Sequence, residues 1–309
     1  MLKISCLSSG TTTSQTPVMA TVMYEVIKKY LKNNDELIPK FPLACIFDFS
    51  SMYSTIQFFA TDKILMRMGE LTSLVEQMKS SQVLDWSKCS FPSKFAHKKS
   101  NEPLFFTIPI FSRGVTDTLS KTEILELARH LWEISLTLQK AGSRYIFFDL
   151  APIESRQQNI IELAALINSN LIIGIVDMNK NSFEEVIKEI KILEETLKHY
   201  DLFAQPGFTL NGLIFNKISE QSLSEKWIDK VMVNFSYPIL GMIREDQELS
   251  KVIREYEIPT VDSLFHKMKS AKDFQATAEM LIQVSSDPSA LRTVTEDQYK
   301  YLEGKIFSS

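Results

Sequence analysis

The sequence predicts a doubly wound α/β domain, a mostly parallel sheet flanked by helices on both faces. Two observations carry that expectation. Short runs such as Tyr145-Ile146-Phe147-Phe148 and Leu213-Ile214-Phe215 are apolar at every position rather than at alternate ones, the mark of strands buried on both sides. Between those runs apolar residues recur at helical spacing, so strand and helix alternate along the chain, as parallel crossovers require. No internal repeat or low-complexity linker interrupts the pattern, so residues 1–284 read as one domain and 285–309 as a short C-terminal tail.

The elements follow in order. Residues 4–7 form a short buried strand, and the next helix carries Val18, Met19, Val22, Met23, Val26, Ile27, Tyr30 and Leu31 on its apolar face. Pro17 falls in its first turn, where a missing N–H costs nothing, and Asn33-Asn34-Asp35 end it. Residues 43–47 form a second buried strand closed by Asp48. The stretch 62–103 is irregular, with weak helix at 65–79 and a polar loop at 94–101. A strand at 104–110 precedes a long helix over 121–140, and 145–149 is a strand ending in Asp149. A helix at 156–168 leads to a strand at 171–176, and Ser182 caps a helix running to about residue 200. Strands at 213–216 and 239–243 and helices at 246–256 and 269–284 complete the domain.

With 309 residues, 44% of them hydrophobic and 23% charged, the chain has ample material for a globular core. A formal net charge of −4 argues against holding DNA through bulk charge. The three cysteines are scattered, with Cys6 and Cys45 inside apolar runs. That predicts buried thiols, no disulfides and a cytoplasmic protein. No run is long and apolar enough to span a bilayer, and the N-terminus enters a strand without a signal sequence. The histidines His97, His130, His199 and His266 lack metal-ligating spacing and form no nucleophilic constellation with Ser or Cys. Glycine is scarce, nine residues or about 3% against a usual value of about 7%. The loops are therefore poorly suited to tight backbone approach to ligands.

The stretch Gly10-Thr11-Thr12-Thr13-Ser14-Gln15-Thr16-Pro17 joins the first strand to the first helix. A nucleotide-binding unit of this kind needs glycines, so that backbone N–H groups can point at phosphates, and a lysine to neutralise them. Here one glycine remains and Gln15 sits where the lysine belongs. Taken alone, the stretch is a hydroxyl-rich turn in which Thr13 or Ser14 caps the helix.

Four further segments carry a resemblance: Phe47-Asp48-Phe49-Ser50, Phe148-Asp149-Leu150-Ala151-Pro152, Phe215-Asn216-Lys217, and Gly241-Met242-Ile243-Arg244-Glu245-Asp246 followed by Ile258-Pro259-Thr260-Val261. With them the chain, over residues 2–284, resembles the MinD/ParA family of deviant P-loop ATPases. The resemblance implies that 148–152 correspond to the Walker B strand and the start of switch II, and 47–50 to an Asp-x-Asp switch I. It implies that Asn216 reads adenine and that Arg244, where proline is usual, lies near the base. ATP or ADP with magnesium is the implied cofactor. The phosphates would be cradled by Gly10, Thr11, Thr12, Thr13, Ser14, Gln15 and Thr16, and the magnesium held at Thr16, Asp48 and Asp149.

The departures from the family pattern carry more weight than the matches. Gln15 replaces the P-loop lysine, Ser14, Thr12 and Thr11 replace glycines, and Gly10 replaces the second, signature lysine. No lysine lies between Lys3 and Lys28, so shifting the alignment by one residue restores none. Ser50 replaces the second switch I aspartate, which in relatives orients the attacking water, and Ile153 stands where a glycine offers its N–H to the γ-phosphate. A charge-assisted hydrogen bond is worth about 1.5–3 kcal/mol, so losing one lysine weakens nucleotide binding roughly ten- to a hundredfold. Threonines forced to positive φ cost on the order of 1–2 kcal/mol each. Hydrolysis suffers more, because cationic clamps act mainly on transition-state charge, with an arginine finger worth about 10³–10⁵ in rate. Weak binding through Thr16, Asp149 and Asn216 stays open.

The expected function is that of a positioning or scaffolding adaptor, of the cell-pole, pilus or flagellum type, with weak or no ATP hydrolysis. It would act as a homodimer or as a heterodimer with an active paralogue. The alternative is a slow but genuine ATPase in which a lysine from outside the loop, or from a partner, restores the charge. A metabolic enzyme on the same fold comes third, and its electron-transfer version would need paired cysteines where Cys89 stands alone. Plainer roles compete: Asp48 bonding a nearby backbone N–H, Asp149 capping its strand end, Asn216 as a strand-end turn residue, and Ile64, Leu65, Met66 and Met68 as core or interface. The tail over 297–307 has a faint apolar face but as many acidic as basic groups, which speaks against a lipid anchor.

Overall fold

The computed structural model describes residues 1–8, 15–34, 42–50, 54–67, 71–80, 85–112, 119–150, 161–178, 183–199, 210–220, 222, 226–247 and 268–287. β1 (Leu2–Ser8) is buried at every position and is followed by α1 (Gln15–Asn33). Then come β2 (Ala44–Asp48), α2 (Ser54–Phe59), α3 (Asp62–Leu65), α4 (Leu74–Ser80), a 3₁₀ turn (Trp86–Cys89), β3 (Phe91–Pro92) and β4 (Phe105–Pro109). The second half comprises α5 (Lys121–Ala141), β5 (Tyr145–Asp149), α6 (Ile161–Leu166), β6 (Leu171–Asp177), α7 (Phe183–His199), β7 (Gly212–Ile218), α8 (Trp227–Asn234), β8 (Ile239–Arg244) and α9 (Ala271–Ser286).

The strands form one eight-stranded sheet in the order β3-β4-β2-β5-β1-β6-β7-β8. Every pairing is parallel except that of the short edge strand β3 with β4. From β1 the chain first builds outward through β2 and β4. It then returns through β5 and crosses β1 to build β6, β7 and β8 on the other side. The carboxyl end of β1 is therefore a topological switch point, the place where open α/β sheets form their ligand crevice.

Side-chain alternation divides the core in two. Leu2, Ile4 and Cys6 of β1, with Ile173 and Ile175 of β6, face α1 and α9. Leu7, Phe148, Ile172 and Val176 face α5, α6 and α7. The ends of α5 follow from local sequence. Ser120 and Glu123 form a reciprocal capping box at its start, and Gly142 at φ 106° ends it in the left-handed conformation a glycine adopts freely. At the other end of the sheet Gly241 lets α9 approach β8 closely, since a Cβ there would meet Thr277 Oγ1 at 2.2 Å.

The predicted strands and the helices α1 and α5 are present within a residue or two of expectation. The weak helix expected at 65–79 is instead two helices, α3 ending at Leu65 and α4 beginning at Leu74. Among the described residues four elements had no sequence expectation: α2, the 3₁₀ turn, β3 and α8. Cys89 lies buried in the 3₁₀ turn, and burial pushes its thiol pKa up to about 12. Residues 248–256 of the expected helix 246–256, Ser182 as a cap and the tail face at 297–307 lie outside the described residues.

Candidate functional site at the carboxyl edge of the sheet

Strand alternation and parallel register line up one set of side chains at the switch point. Asp48 is the last residue of β2, Asp149 of β5 and Asp177 of β6. Each shares the parity of core residues on the α1 side of its strand: Ile46, Phe147 and Ile175 respectively. The three carboxylates therefore emerge on the same face of the sheet, the face that α1 covers. Asp48 and Asp149 are register partners, and Cys6 of β1 is level with Asp149. Asn216, register partner of Asp177, extends the row onto β7.

All three carboxylates are buried, at 0% exposure for Asp48, 1% for Asp149 and 4% for Asp177, and each finds its own support. Asp48 accepts hydrogen bonds from the backbone N–H of Ser50 at 2.9 Å and of Ile56 at 3.2 Å. Asp149 accepts from Thr16 Oγ1 at 3.3 Å, which ties β5 to the first turn of α1. Asp177 accepts from Asn216 Nδ2 at 2.9 Å and pairs with Lys217 Nζ at 2.6 Å. Burial, reinforced by the Asp149 charge, holds the Cys6 thiol well above its ordinary pKa, so it is a packed thiol and not a nucleophile.

Several sequence-predicted residues thus meet here. Thr16, Asp48, Asp149 and Asn216 all belong to this rim, and Thr16 is in direct contact with Asp149. Gly10, Thr11, Thr12, Thr13 and Ser14 lie outside the described residues, and Gln15 opens α1. Arg244 closes the edge strand β8, next to β7, and is the register partner of Ile218. Its guanidinium donates to both carboxylate oxygens of Asp273 at 2.9 Å and to the Lys269 carbonyl, which clamps β8 to the start of α9. The Asp273 carboxylate raises the pKa of Arg244 further. Asp177 and Lys217 were not anticipated as site residues. Asp177 was legible in principle, because it closes a buried apolar run just as Asp48 and Asp149 do.

Thr16 and Asp149 supply hydroxyl and carboxylate oxygens, the hard donors that magnesium takes alongside water and phosphate. Their contact is the fit this site offers to such an ion. Among the described residues no group of three or more His, Cys, Asp or Glu side chains is arranged to hold a metal without further ligands.

An open, mostly parallel sheet with this strand order, a switch point at β1 and carboxylates at the ends of β2 and β5 defines a doubly wound α/β protein. The fold is that of the MinD and ParA ATPases. The MinC:MinD cell division protein complex of Aquifex aeolicus superposes with a TM-score of 0.64 at 11% identity, covering 92% of this chain and 96% of that one. A ParA family ATPase from Chlorobium tepidum gives 0.59 at 13% identity, covering 90% and 99%. pNOB8 ParA bound to nonspecific DNA gives 0.55 at 14%, covering 93% and 100%. At these identities the likeness is one of fold. No protein-family model matches the sequence, and no curated protein matches it.

Proposed function

We propose that this chain is a MinD/ParA-like positioning adaptor whose nucleotide site is too weakly charged to act as an ATP-driven switch. The observation that carries this reading is the absence of lysine between Lys3 and Lys28, which leaves the strand–loop–helix unit without its cation. A dimer that forms without nucleotide, or a pairing with an active paralogue, replaces the nucleotide-gated assembly of the active members. In this reading recruitment to a pole or membrane machine runs through protein partners, and among the described residues no helix is long and apolar enough to cross a membrane.

Molar mass measured by light scattering, with and without ATP and magnesium, tests the adaptor. The same species in both conditions is expected, and a dimer that appears only with nucleotide would defeat it. One observation favours a second reading, the slow ATPase: Thr16 and Asp149 retain the hydroxyl–carboxylate contact suited to magnesium. Its signature is steady phosphate release that Thr16→Ala or Asp149→Ala abolishes.

A further inference from the structure

Lys217 is held in an unusual way. Its φ is +54°, the left-handed region that a side chain with a Cβ rarely adopts. The distortion coincides with a slip in the ladder. Phe215 pairs with Met242 and Ile218 with Arg244, so β7 advances three residues while β8 advances two. β7 therefore carries a β-bulge at 216–217, and bulges re-aim side chains next to functional sites. Regular alternation would send Asn216 and Lys217 to opposite faces of the sheet. Instead both donate to the Asp177 carboxylate, so the bulge brings Lys217 around to the face of α1 and the carboxylate rim.

The side chain also reaches across the sheet. Its ammonium ends at β6, the strand next to β1, and one strand spacing is about 4.8 Å. Asp177 lies two residues beyond Ile175, the register partner of Ser8 at the end of β1. The Lys217 ammonium thus ends at the carboxyl end of β6, on the strand that pairs with the last residues of β1. Asp177 is 3% exposed and Lys217 31% exposed by side chain, so the buried carboxylate anchors one end and the ammonium meets solvent. An ammonium has three donor hydrogens, and one of them goes to Asp177.

We propose that Lys217, aimed by the bulge and anchored by Asp177, is an anion-binding residue that supplies from β7 the positive charge missing from residues 10–16. Its ligand is the polyphosphate of a nucleoside triphosphate. The inference rests on reading this edge as a weakened nucleotide site, and Asp177 acts in it as a positioning residue. Because Asp177 partly neutralises the ammonium, the binding expected is weaker than a dedicated loop lysine would give.

The test is calorimetric titration with ATP-magnesium, inorganic tripolyphosphate and adenosine. Lys217→Met is expected to weaken ATP and tripolyphosphate binding about tenfold or more, the effect of losing one charge-assisted contact, and to leave adenosine unchanged. Because that variant strands a buried carboxylate, the double variant Lys217→Met with Asp177→Asn removes the pair together. It is expected to keep the parent melting temperature and still lose anion binding, whereas Asp177→Asn alone binds tripolyphosphate more tightly. A double variant that binds ATP as well as the parent overturns the proposal. So does a parent protein that takes up neither ATP nor tripolyphosphate at millimolar concentration. A parent dimer that depends on ATP would defeat the adaptor reading while leaving the role of Lys217 intact.

Discussion

The two halves of the carboxylate rim solve the same problem differently. On the β2/β5 side, Asp48 is held by backbone N–H groups of Ser50 and Ile56, and Asp149 by the Thr16 hydroxyl. These donors are neutral, short and fixed by the fold. On the β6/β7 side, Asp177 is held by the neutral Asn216 amide and also by the Lys217 ammonium at the end of a long side chain, and a strained backbone and a bulge accompany the second contact. Backbone donors come with the secondary structure, whereas a charged partner must be carried in from the next strand. The difference suggests that Asp48 serves the architecture, while the Asp177–Lys217 pair costs local conformational energy and is the half of the rim built around a charge.

The largest effect expected from that contrast is at Asp48. Asp48→Ala strips the buried Ile56 N–H and the Ser50 N–H of their acceptor, and should destabilise the fold by roughly 2–4 kcal/mol in urea unfolding. Because the lost donors are backbone groups, added salt should leave that loss unchanged.

Glu162 supplies a third case that sharpens the comparison, a buried carboxyl on α6 whose Oε2 has no hydrogen-bond partner among the described residues. Burial pushes its pKa from an ordinary 4.5 up to about 7. The folded protein therefore keeps a proton that the unfolded chain releases, and its contribution to stability is complete below about pH 4.5 and is lost as pH rises through about 7. Unfolding free energies across that window should fall by roughly 3 kcal/mol as pH rises, and Glu162→Gln should flatten the slope.

A smaller effect distinguishes the ion pair itself. A double-mutant cycle on Asp177 and Lys217 should yield a coupling of about 1–2 kcal/mol, reduced from the value for a fully buried pair because Lys217 is partly solvated. That coupling should shrink between low and high salt. A salt-independent coupling would mean that the two halves of the rim are held in the same way.

What the sequence disclosed follows the same division. The central strands are apolar at every position, and α1 and α5 are long and periodic, so their places could be read directly. α2 could not, because Ser54-Thr55-Ile56-Gln57-Phe58-Phe59 is rich in β-branched and aromatic residues with weak helix propensity. Burial of Ile56, Phe58 and Phe59 supports it instead, and those contacts are tertiary. α8 gave no start signal, since its N-cap is Lys226 without a side-chain cap. In the rim, Asp48 and Asp149 were recognisable as polar residues closing apolar runs, and Asp177 fits the same rule. Lys217 was beyond reach, because alternation alone places it on the wrong face and nothing in a single sequence announces the bulge. Arg244 drew attention through a motif, yet its guanidinium is committed to Asp273 in the structure.

Steady-state phosphate release by the purified chain with ATP and magnesium tests the central proposal most directly, that the chain lacks the charge needed for turnover. The account predicts release at background, unchanged by Thr16→Ala. Sustained release that Thr16→Ala or Asp149→Ala eliminates would contradict it.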